Sequence, residues 1–295
     1  LGVAQPLSFV RPFVGDLSLD IEQNRRLIAH LEEGGVSTLL YGGNANLYNI
    51  AISEYGELLE MLAGGTGEGT LVIPSVGPFF GTLMDQAAIV RGAGFPAAMV
   101  LPTLFPAKPQ GVATAVRHFV EKSGTKAVLY LKDEGYLTAE LAARLVDDGL
   151  IAWIKYAVVR EDTSDDALLR SLLDQVDPAM VVSGIGEQPA IIHLRDFGLA
   201  GFTSGCVCVA PSKSMAMLAA ISSGDYSGAD AIRSRFQALE DLRNGHGPIP
   251  VLHHAVALAG IADTGSHLPL MADLEGGVLD SIAGAARELL QYEGS

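Results

Sequence analysis

A (β/α)8 barrel with a C-terminal helical extension is the fold this sequence predicts, and three observations predict it. Apolar, strand-like runs recur eight times, at 3–10, 36–41, 70–76, 97–102, 126–131, 150–156, 179–184 and 199–204. Helical patterns fill the intervals, as strand–helix units around one core require. After the last run the pattern is helical alone, punctuated at Ser223-Gly224, Gly245-His246-Gly247-Pro248 and Gly276-Gly277. The barrel is expected over 1–222 and the helical domain over 223–295. An open, doubly wound α/β sheet is the alternative that the same alternation permits.

The elements justify themselves in order. Ile21, Leu27, Ile28 and Leu31 follow the spacing of an amphipathic helix that stops at Gly34-Gly35. Gly64-Gly65-Thr66-Gly67-Glu68-Gly69 spells something like a phosphate loop, but it precedes a strand and lacks Gly-Lys-Ser/Thr. It is expected to be a turn on the stability face of the barrel. Thr138 is placed to cap a helix over 139–148 that ends at Gly149. The run Leu150-Ile151-Ala152-Trp153-Ile154-Lys155-Tyr156-Ala157 reads as a buried strand, with alternation setting Ile151, Trp153 and Lys155 on one face.

Composition narrows the function classes. The chain has 295 residues, 49% of them hydrophobic and 18% charged, enough apolar side chains for a large core. No run approaches the roughly 18 unbroken apolar residues of a membrane span, so no membrane partner is expected. The formal net charge of −15 argues against nucleic acid as a partner. An anionic substrate must therefore be drawn in by local positive groups. Two cysteines, Cys206 and Cys208, make no disulfide framework and no paired metal motif, which suits a reducing cytoplasm. The opening residues 1–6 show no basic segment leading into an apolar one, so no secretory leader is expected there.

Lys155 is the centre of the chemistry. An ammonium among apolar neighbours loses hydration, which drives its pKa down. A neutral lysine amine attacks carbonyl carbon and forms Schiff bases. The competing reading is a strand-end lysine whose ammonium reaches water or a carboxylate. In a barrel the chemistry sits at the C-terminal ends of the strands. Tyr41-Gly42-Gly43-Asn44-Ala45-Asn46, Tyr130, Lys155, Ser183-Gly184-Ile185-Gly186-Glu187 and Thr203-Ser204-Gly205 all fall there.

Arg11-Pro12-Phe13 follows the first run, and Gly42-Gly43-Asn44-Ala45-Asn46 follows the second. Val128-Leu129-Tyr130 precedes Ile154-Lys155 by about 25 residues. Then come the Gly184-x-Gly186 turn and Gly198-x-x-Gly201-Phe202-Thr203-Ser204 before Pro211. In order and spacing, over essentially the whole chain, these pieces resemble the dihydrodipicolinate synthase / N-acetylneuraminate lyase family of class I lyases. The resemblance implies a (β/α)8 barrel with a helical C-terminal domain, usually assembled as a tetramer. It also implies that Lys155 is the Schiff-base lysine and Tyr130 the phenol that carries protons above it.

The departures from the family pattern bear on the substrate. Where the family has Gly-Thr-Thr-Gly-Glu, Gly43 and Asn44 replace the threonine pair, so backbone N–H groups remain but a relay hydroxyl is gone. The tyrosine that dihydrodipicolinate synthase borrows from a neighbouring subunit would fall in Pro102-Thr103-Leu104-Phe105, which has none. The arginine that the synthase uses after the strand-five tyrosine is absent from Leu131-Lys132-Asp133-Glu134-Gly135-Tyr136. The Tyr-x-Lys-Asp run instead resembles the branch acting on keto-deoxy sugar acids.

Other signals have plainer readings. His253-His254 diverge on a helix and are expected at the surface or satisfied by partners. His246 is read as a loop histidine. Glu187 either caps the helix after its strand or touches substrate. Lys132 is either a solvated charge or a carboxylate clamp.

The expected protein is a class I lyase, an aldolase or dehydratase, acting on a small 2-oxo acid of the 2-keto-3-deoxy sugar acid type. Lys155 and Tyr130 are the expected catalytic pair, and Gly43, Asn44, Gly184, Thr203 and Lys132 the expected substrate contacts. No metal and no organic cofactor is expected, because the iminium is itself the electron sink. A homo-oligomer, tetramer or dimer, is expected from the resemblance. The rivals are dihydrodipicolinate synthase proper and a barrel that binds 2-oxo acids without turnover.

Overall fold

A computed structural model describes residues 17–295. The expected first strand and Arg11-Pro12-Phe13 lie outside the described residues. Six parallel strands form one sheet: β1 (Thr38–Tyr41), β2 (Leu71–Val76), β3 (Ala97–Val100), β4 (Lys126–Leu131), β5 (Ile151–Tyr156) and β6 (Val181–Ser183). Each pairs with its successor in the order β1-β2-β3-β4-β5-β6. That monotonic order excludes a doubly wound sheet, in which the strand order reverses at a switch point. It is the order in which a barrel sheet is laid down. The eighth expected run contributes a single parallel bridge, Phe202 to Ser183, rather than a strand.

Helices follow the strands. Before the sheet lies α1 (Ile21–Glu33), and α2 (Ile52–Gly64), α3 (Phe80–Ala93), α4 (Pro109–Ser123), α5 (Ala139–Asp147) and α6 (Ala167–Leu173) connect successive strands. The local chemistry matches the sequence expectation. Asp20 caps α1 by accepting from the Gln23 N–H at 3.0 Å, and Asn24, Leu27, Ile28 and Leu31 form its buried stripe. Thr138 caps α5 through the Leu141 N–H. The Gly64–Gly69 segment is a turn ahead of β2, tied down where Glu32 accepts from the Gly67 N–H (2.8 Å) and Thr70 Oγ1 (2.5 Å). It lies at the opposite end of the strands from Tyr130 and Lys155.

One detail of β5 differs from simple alternation. Ala127 pairs with Ile151 but Val128 with Trp153, so a bulge at Ala152 shifts the register. Trp153 is half-buried, while Ile154, Lys155 and Tyr156 are buried in succession. The bulge resets which side chains face inward over the last half of the strand.

After β6 come α7 (Ala190–Asp196), α8 (Pro211–Ser223), α9 (Tyr226–His246), α10 (Pro248–Leu258) and α11 (Gly277–Glu293). Asp225 caps α9 by accepting from the Gly228 N–H at 2.9 Å. Phe236, Leu239, Val251, Leu252 and Ile282 belong to the same buried cluster as Leu39, Val128 and Ile154. The C-terminal helices thus share a core with the sheet, and α10 packs on the turn after β1.

The C-terminal end of β5 is braced from outside. Asp166 is fully buried and caps α6 at the Leu169 N–H (3.0 Å). It also accepts from Tyr156 Oη (2.7 Å) and Arg160 Nη2 (3.0 Å). Burial works to raise its pKa, but the bonds from Arg160, Leu169 and Tyr156 outweigh it and hold the carboxyl below the usual range. Because the folded-state value is depressed, this contribution is complete above the ordinary carboxylate range and is lost as pH falls through the folded value. Asp166→Ala is expected to cost about 2–4 kcal/mol, since it uncaps α6 and leaves the buried Tyr156 hydroxyl without its acceptor, while the half-buried Arg160 keeps Glu134. Urea denaturation measures it, and a loss under about 1 kcal/mol would remove Asp166 from the framework of β5.

Candidate active site

Parallel register brings the two expected catalytic residues together: Tyr130 on β4 is the pairing partner of Lys155 on β5. Lys155 Nζ lies 4.3 Å from the centroid of the Tyr130 ring. The lysine is 4% exposed, and among the described residues no carboxylate forms an ion pair with it. Burial, reinforced by the positive charges of Lys132 and Arg243, lowers its pKa to about 7. Near neutral pH a large share of the amine is therefore unprotonated. The same burial pushes the Tyr130 phenol up to about 12, with Arg243 opposing the rise and Asp133 adding to it. Tyr130 is therefore a proton donor at neutral pH.

Both side chains line a cavity of about 340 Å³ at the C-terminal ends of the strands. Gly43, Asn44, Tyr48, Gly184, Ile185 and Arg243 line it with them. Gly43 and Asn44 stand in the first turn of a short 3-10 helix (Gly43–Ala45), whose leading N–H groups precede any intrahelical acceptor. A Cβ at Gly43 would lie 3.7 Å from Tyr130 Cε1 and 3.9 Å from Tyr48 Oη, so this glycine sits between two phenols.

Gly184 has a different part from the one expected of it. Its N–H donates to the Tyr156 carbonyl at 2.6 Å and is not available to a ligand. What it supplies is room. A Cβ there would lie 2.7 Å from Ala157 Cβ, 2.8 Å from Lys155 Cγ and 3.0 Å from Lys155 Cε. Only a residue without a side chain lets the lysine pass across the turn. Lys132 is exposed and stands at the rim. Thr203 is buried and outside the cavity lining, where its backbone pairs with Ser183 and Gly186.

Two lining residues carry no local sequence signal of their function. Tyr48 stands in the turn after β1, and burial, then Tyr130, Tyr136 and Asp133, push its phenol well above the usual range. Arg243 comes from the last turn of α9, in the C-terminal helices, and is 6% exposed. Tyr48 could have been suspected as a phenol in a polar turn at a strand end. Nothing near Arg243 in the sequence points to the cavity.

Glu187 neither caps a helix nor reaches the cavity: buried, it accepts from Ser204 Oγ (2.6 Å) and Ser214 Oγ (2.7 Å). His253 is fully buried rather than at the surface; burial, then His267, lowers its pKa well below the usual range, and a backbone bond to Asn44 works against that fall. His246 is exposed at the end of α9. Metal-ligating atoms gather within 4.8 Å in two places, His254/His267/Asp273 and Glu187/Cys206/Glu240, but none of these residues lines the cavity. A second cleft of about 390 Å³, walled by Phe79, Phe80 and Leu83, is larger but mostly apolar and contains no activated nucleophile. Chemistry therefore points to the cavity around Lys155.

Residues 5–277 match the dihydrodipicolinate synthetase family. Over 274 residues, 90% of each chain, the sequence is 23% identical to a 4-hydroxy-tetrahydrodipicolinate synthase of Chlorobaculum parvum. It is 25% identical to a probable 5-dehydro-4-deoxyglucarate dehydratase of Bacillus licheniformis over 142 residues, a match that spans 47% of this chain and 46% of that protein. In structure it resembles a dihydrodipicolinate synthase from Oceanobacillus iheyensis, with a TM-score of 0.85 at 19% identity, covering 99% of this chain and 96% of the other. The sialic acid aldolase of Ruminococcus gnavus gives a TM-score of 0.83 at 14% identity, covering 99% and 98%.

The lowered pKa of Lys155 is directly measurable. Competitive acetylation with limiting acetic anhydride, followed by peptide mapping, should show Lys155 gaining reactivity with a midpoint near pH 7. A midpoint close to the roughly 10.4 of a free lysine would mean that the ammonium is hydrated and the cavity open to water.

Proposed function

This chain belongs to the dihydrodipicolinate synthetase family, and from that premise we propose that it is a Schiff-base lyase acting on 2-oxo acids of the keto-deoxy sugar acid type. The observation that carries the reading is Lys155: buried, without a carboxylate partner among the described residues, and brought to a pKa of about 7 beside a neutral phenol. We take the described sheet as part of a (β/α)8 barrel. The expected division at 222/223 then separates the barrel from helices that complete its cavity.

The neutral amine of Lys155 attacks C2 of the 2-oxo acid. Tyr130 protonates the departing hydroxyl of the carbinolamine, water leaves, and an iminium forms. The Gly43 and Asn44 N–H groups hold the C1 carboxylate. The iminium draws electrons from C3 in one of two ways. Cleavage of C3–C4 releases an aldehyde and leaves an enamine, the C4 hydroxyl proton passing to Tyr130. Alternatively, the phenolate left on Tyr130 takes a C3 proton to give an enamine, and Tyr130 returns that proton to the C4 hydroxyl, which leaves as water to give an unsaturated iminium. Tyr48, a second phenol in the lining, supplies the hydroxyl that Gly43 and Asn44 do not. After cleavage Tyr130 returns its proton to C3 of the enamine and regenerates an iminium; in either branch water then hydrolyses the iminium, freeing the product and restoring the Lys155 amine.

Dihydrodipicolinate synthase itself is the second reading, favoured by the match over 90% of both chains. Against it stand the absent threonine pair and the missing arginine after Tyr130. A dimer or tetramer is proposed from the family pattern alone. Cys206 and Cys208 are buried, and two cysteines outside any disulfide framework support a reducing, cytoplasmic location; among the described residues no helix is long and apolar enough to cross a membrane.

Borohydride reduction in the presence of pyruvate should fix a covalent adduct on Lys155, seen as an added mass on its peptide. An adduct on Lys132 or Lys126 instead, or none with any 2-oxo acid, would overturn the mechanism. Tyr130→Phe is expected to bind substrate and lose about 10²–10⁴-fold in turnover, the usual contribution of a positioned acid–base group. Turnover within a few-fold of the parent would make Tyr130 a packing residue. For the choice of substrate, kcat/KM for 2-keto-3-deoxy sugar acids should exceed that for pyruvate plus aspartate semialdehyde. The reverse order, by about tenfold, would favour the synthase.

A further inference from the structure

Among the described residues the longest stretch without helix or strand is 259–276, which joins α10 to α11. A loop of that length inside a compact domain is uncommon, and ordering it costs entropy that its contacts must offset. Asp263 donates its N–H to Gln23 Oε1 at 2.8 Å, and Thr264 Oγ1 donates to the His253 carbonyl at 3.0 Å. His267 is buried against α10, its ring centroid 4.5 Å from that of His253 and 5.6 Å from that of His254.

At this contact two imidazoles and a carboxylate converge from two segments. His267 Nδ1 lies 2.5 Å from Asp273 Oδ1, and the same oxygen lies 3.9 Å from His254 Nε2. The Leu274 N–H donates to His254 Nε2 at 3.1 Å, so the lone pair of that nitrogen is on Nε2 and the ring proton on Nδ1. One ligand atom from each of His254, His267 and Asp273 lies within 4.8 Å of the other two. Tetrahedral ligands about 2.0–2.2 Å from a zinc ion stand about 3.4 Å apart, so these three need adjustments on the order of 1 Å. Side chains on one helix face and one loop can make them.

We propose that His254, His267 and Asp273 bind one divalent ion of the zinc type, which clips the 259–276 loop onto α10. Two imidazole nitrogens and one carboxylate oxygen suit Zn²⁺, whereas Mg²⁺ and Ca²⁺ take oxygen ligands. The Asp273 side chain is 43% exposed and that of His254 18%, which leaves an entry path and room for water as a fourth ligand. The ion takes the place of two bonds, His267 to Asp273 and the Leu274 N–H to His254. Glu187, Cys206 and Glu240 offer a rival set, but all three are buried, and the Glu187 oxygens already accept from Ser204 and Ser214. The proposed site lies outside the cavity and stands independently of the Schiff-base reading. It bears on the cavity through α10, whose Pro248 and Ile249 line it and whose His253 bonds to the Asn44 backbone.

The test uses the full chain, stripped with a chelator and dialysed against micromolar Zn²⁺, with bound metal measured by mass spectrometry. The parent should hold about one ion per chain. His254→Gln and Asp273→Asn, at positions open to water, should each weaken binding at least about tenfold. His118→Gln, at the exposed His118–Glu121 pair on α4, is the control and should bind as the parent does. Zinc should raise the Tm of the parent and of this control, and of neither site variant. Co²⁺ in place of zinc should give the visible absorption of a four-coordinate nitrogen–oxygen site without a thiolate charge-transfer band. No bound ion in the parent, undiminished binding in either site variant, or loss of binding in His118→Gln overturns the proposal. A thiolate band also overturns it, because it puts the ion at Cys206. If one site variant does not fold without metal, the other and the cobalt spectrum decide.

Discussion

Removing one ammonium from water at the end of β5 is the constraint to which the surrounding structure answers. A buried lysine without a carboxylate partner is expensive to keep charged. Among the described residues no ion pair relieves that cost. The structure places two further cations nearby, which deepen it. Everything that permits this lies in the backbone: the register that sets Tyr130 beside Lys155, the bulge at Ala152 that turns the last residues of β5 inward, and the missing side chain at Gly184. The brace on Tyr156 from Asp166 then holds the strand end from the other side.

Three cations in one cavity are tolerable because their surroundings differ. Lys132 stands at the rim, where water screens it. Lys155 yields its proton. Arg243 cannot, since a guanidinium stays protonated in proteins, and it is instead held by the Ile185 carbonyl and Asn244. The buried carboxylates behind it, Glu187 and Glu240, are engaged with serine hydroxyls and a backbone N–H and do not enter the cavity. An acidic protein thereby presents a cavity whose charged lining residues, among those described, are all cations.

The sheet was legible in the sequence because apolar runs and helix punctuation are local. The Thr138 cap and the glycines after α1 and α5 fell where the spacing set them. Lys155 and Tyr130 were legible for a related reason: each ends an apolar run, and register follows from order. Arg243 was not, because it reaches the cavity from α9 through packing between distant segments, which leaves no spacing to read. Gly184 was placed correctly and given the wrong part, since a need for empty space and a need for a free N–H both select glycine. Glu187, read as a cap or a substrate contact, is instead held by Ser204 and Ser214, and His253 is covered by the loop around His267; both are tertiary facts.

The position of Arg243 also bears on how the protein is made. On a ribosome the sheet emerges before α9 and α10, and at about 5–20 residues per second that interval lasts on the order of ten seconds. Until those helices dock, the cavity lacks the wall made by Arg243, Asn244, Pro248 and Ile249. Lys155 is then hydrated, with the proton of an ordinary lysine, and a protonated amine does not attack keto acids. Activation of the nucleophile thus waits on completion of the chain, and a nascent or truncated product carries a harmless ammonium.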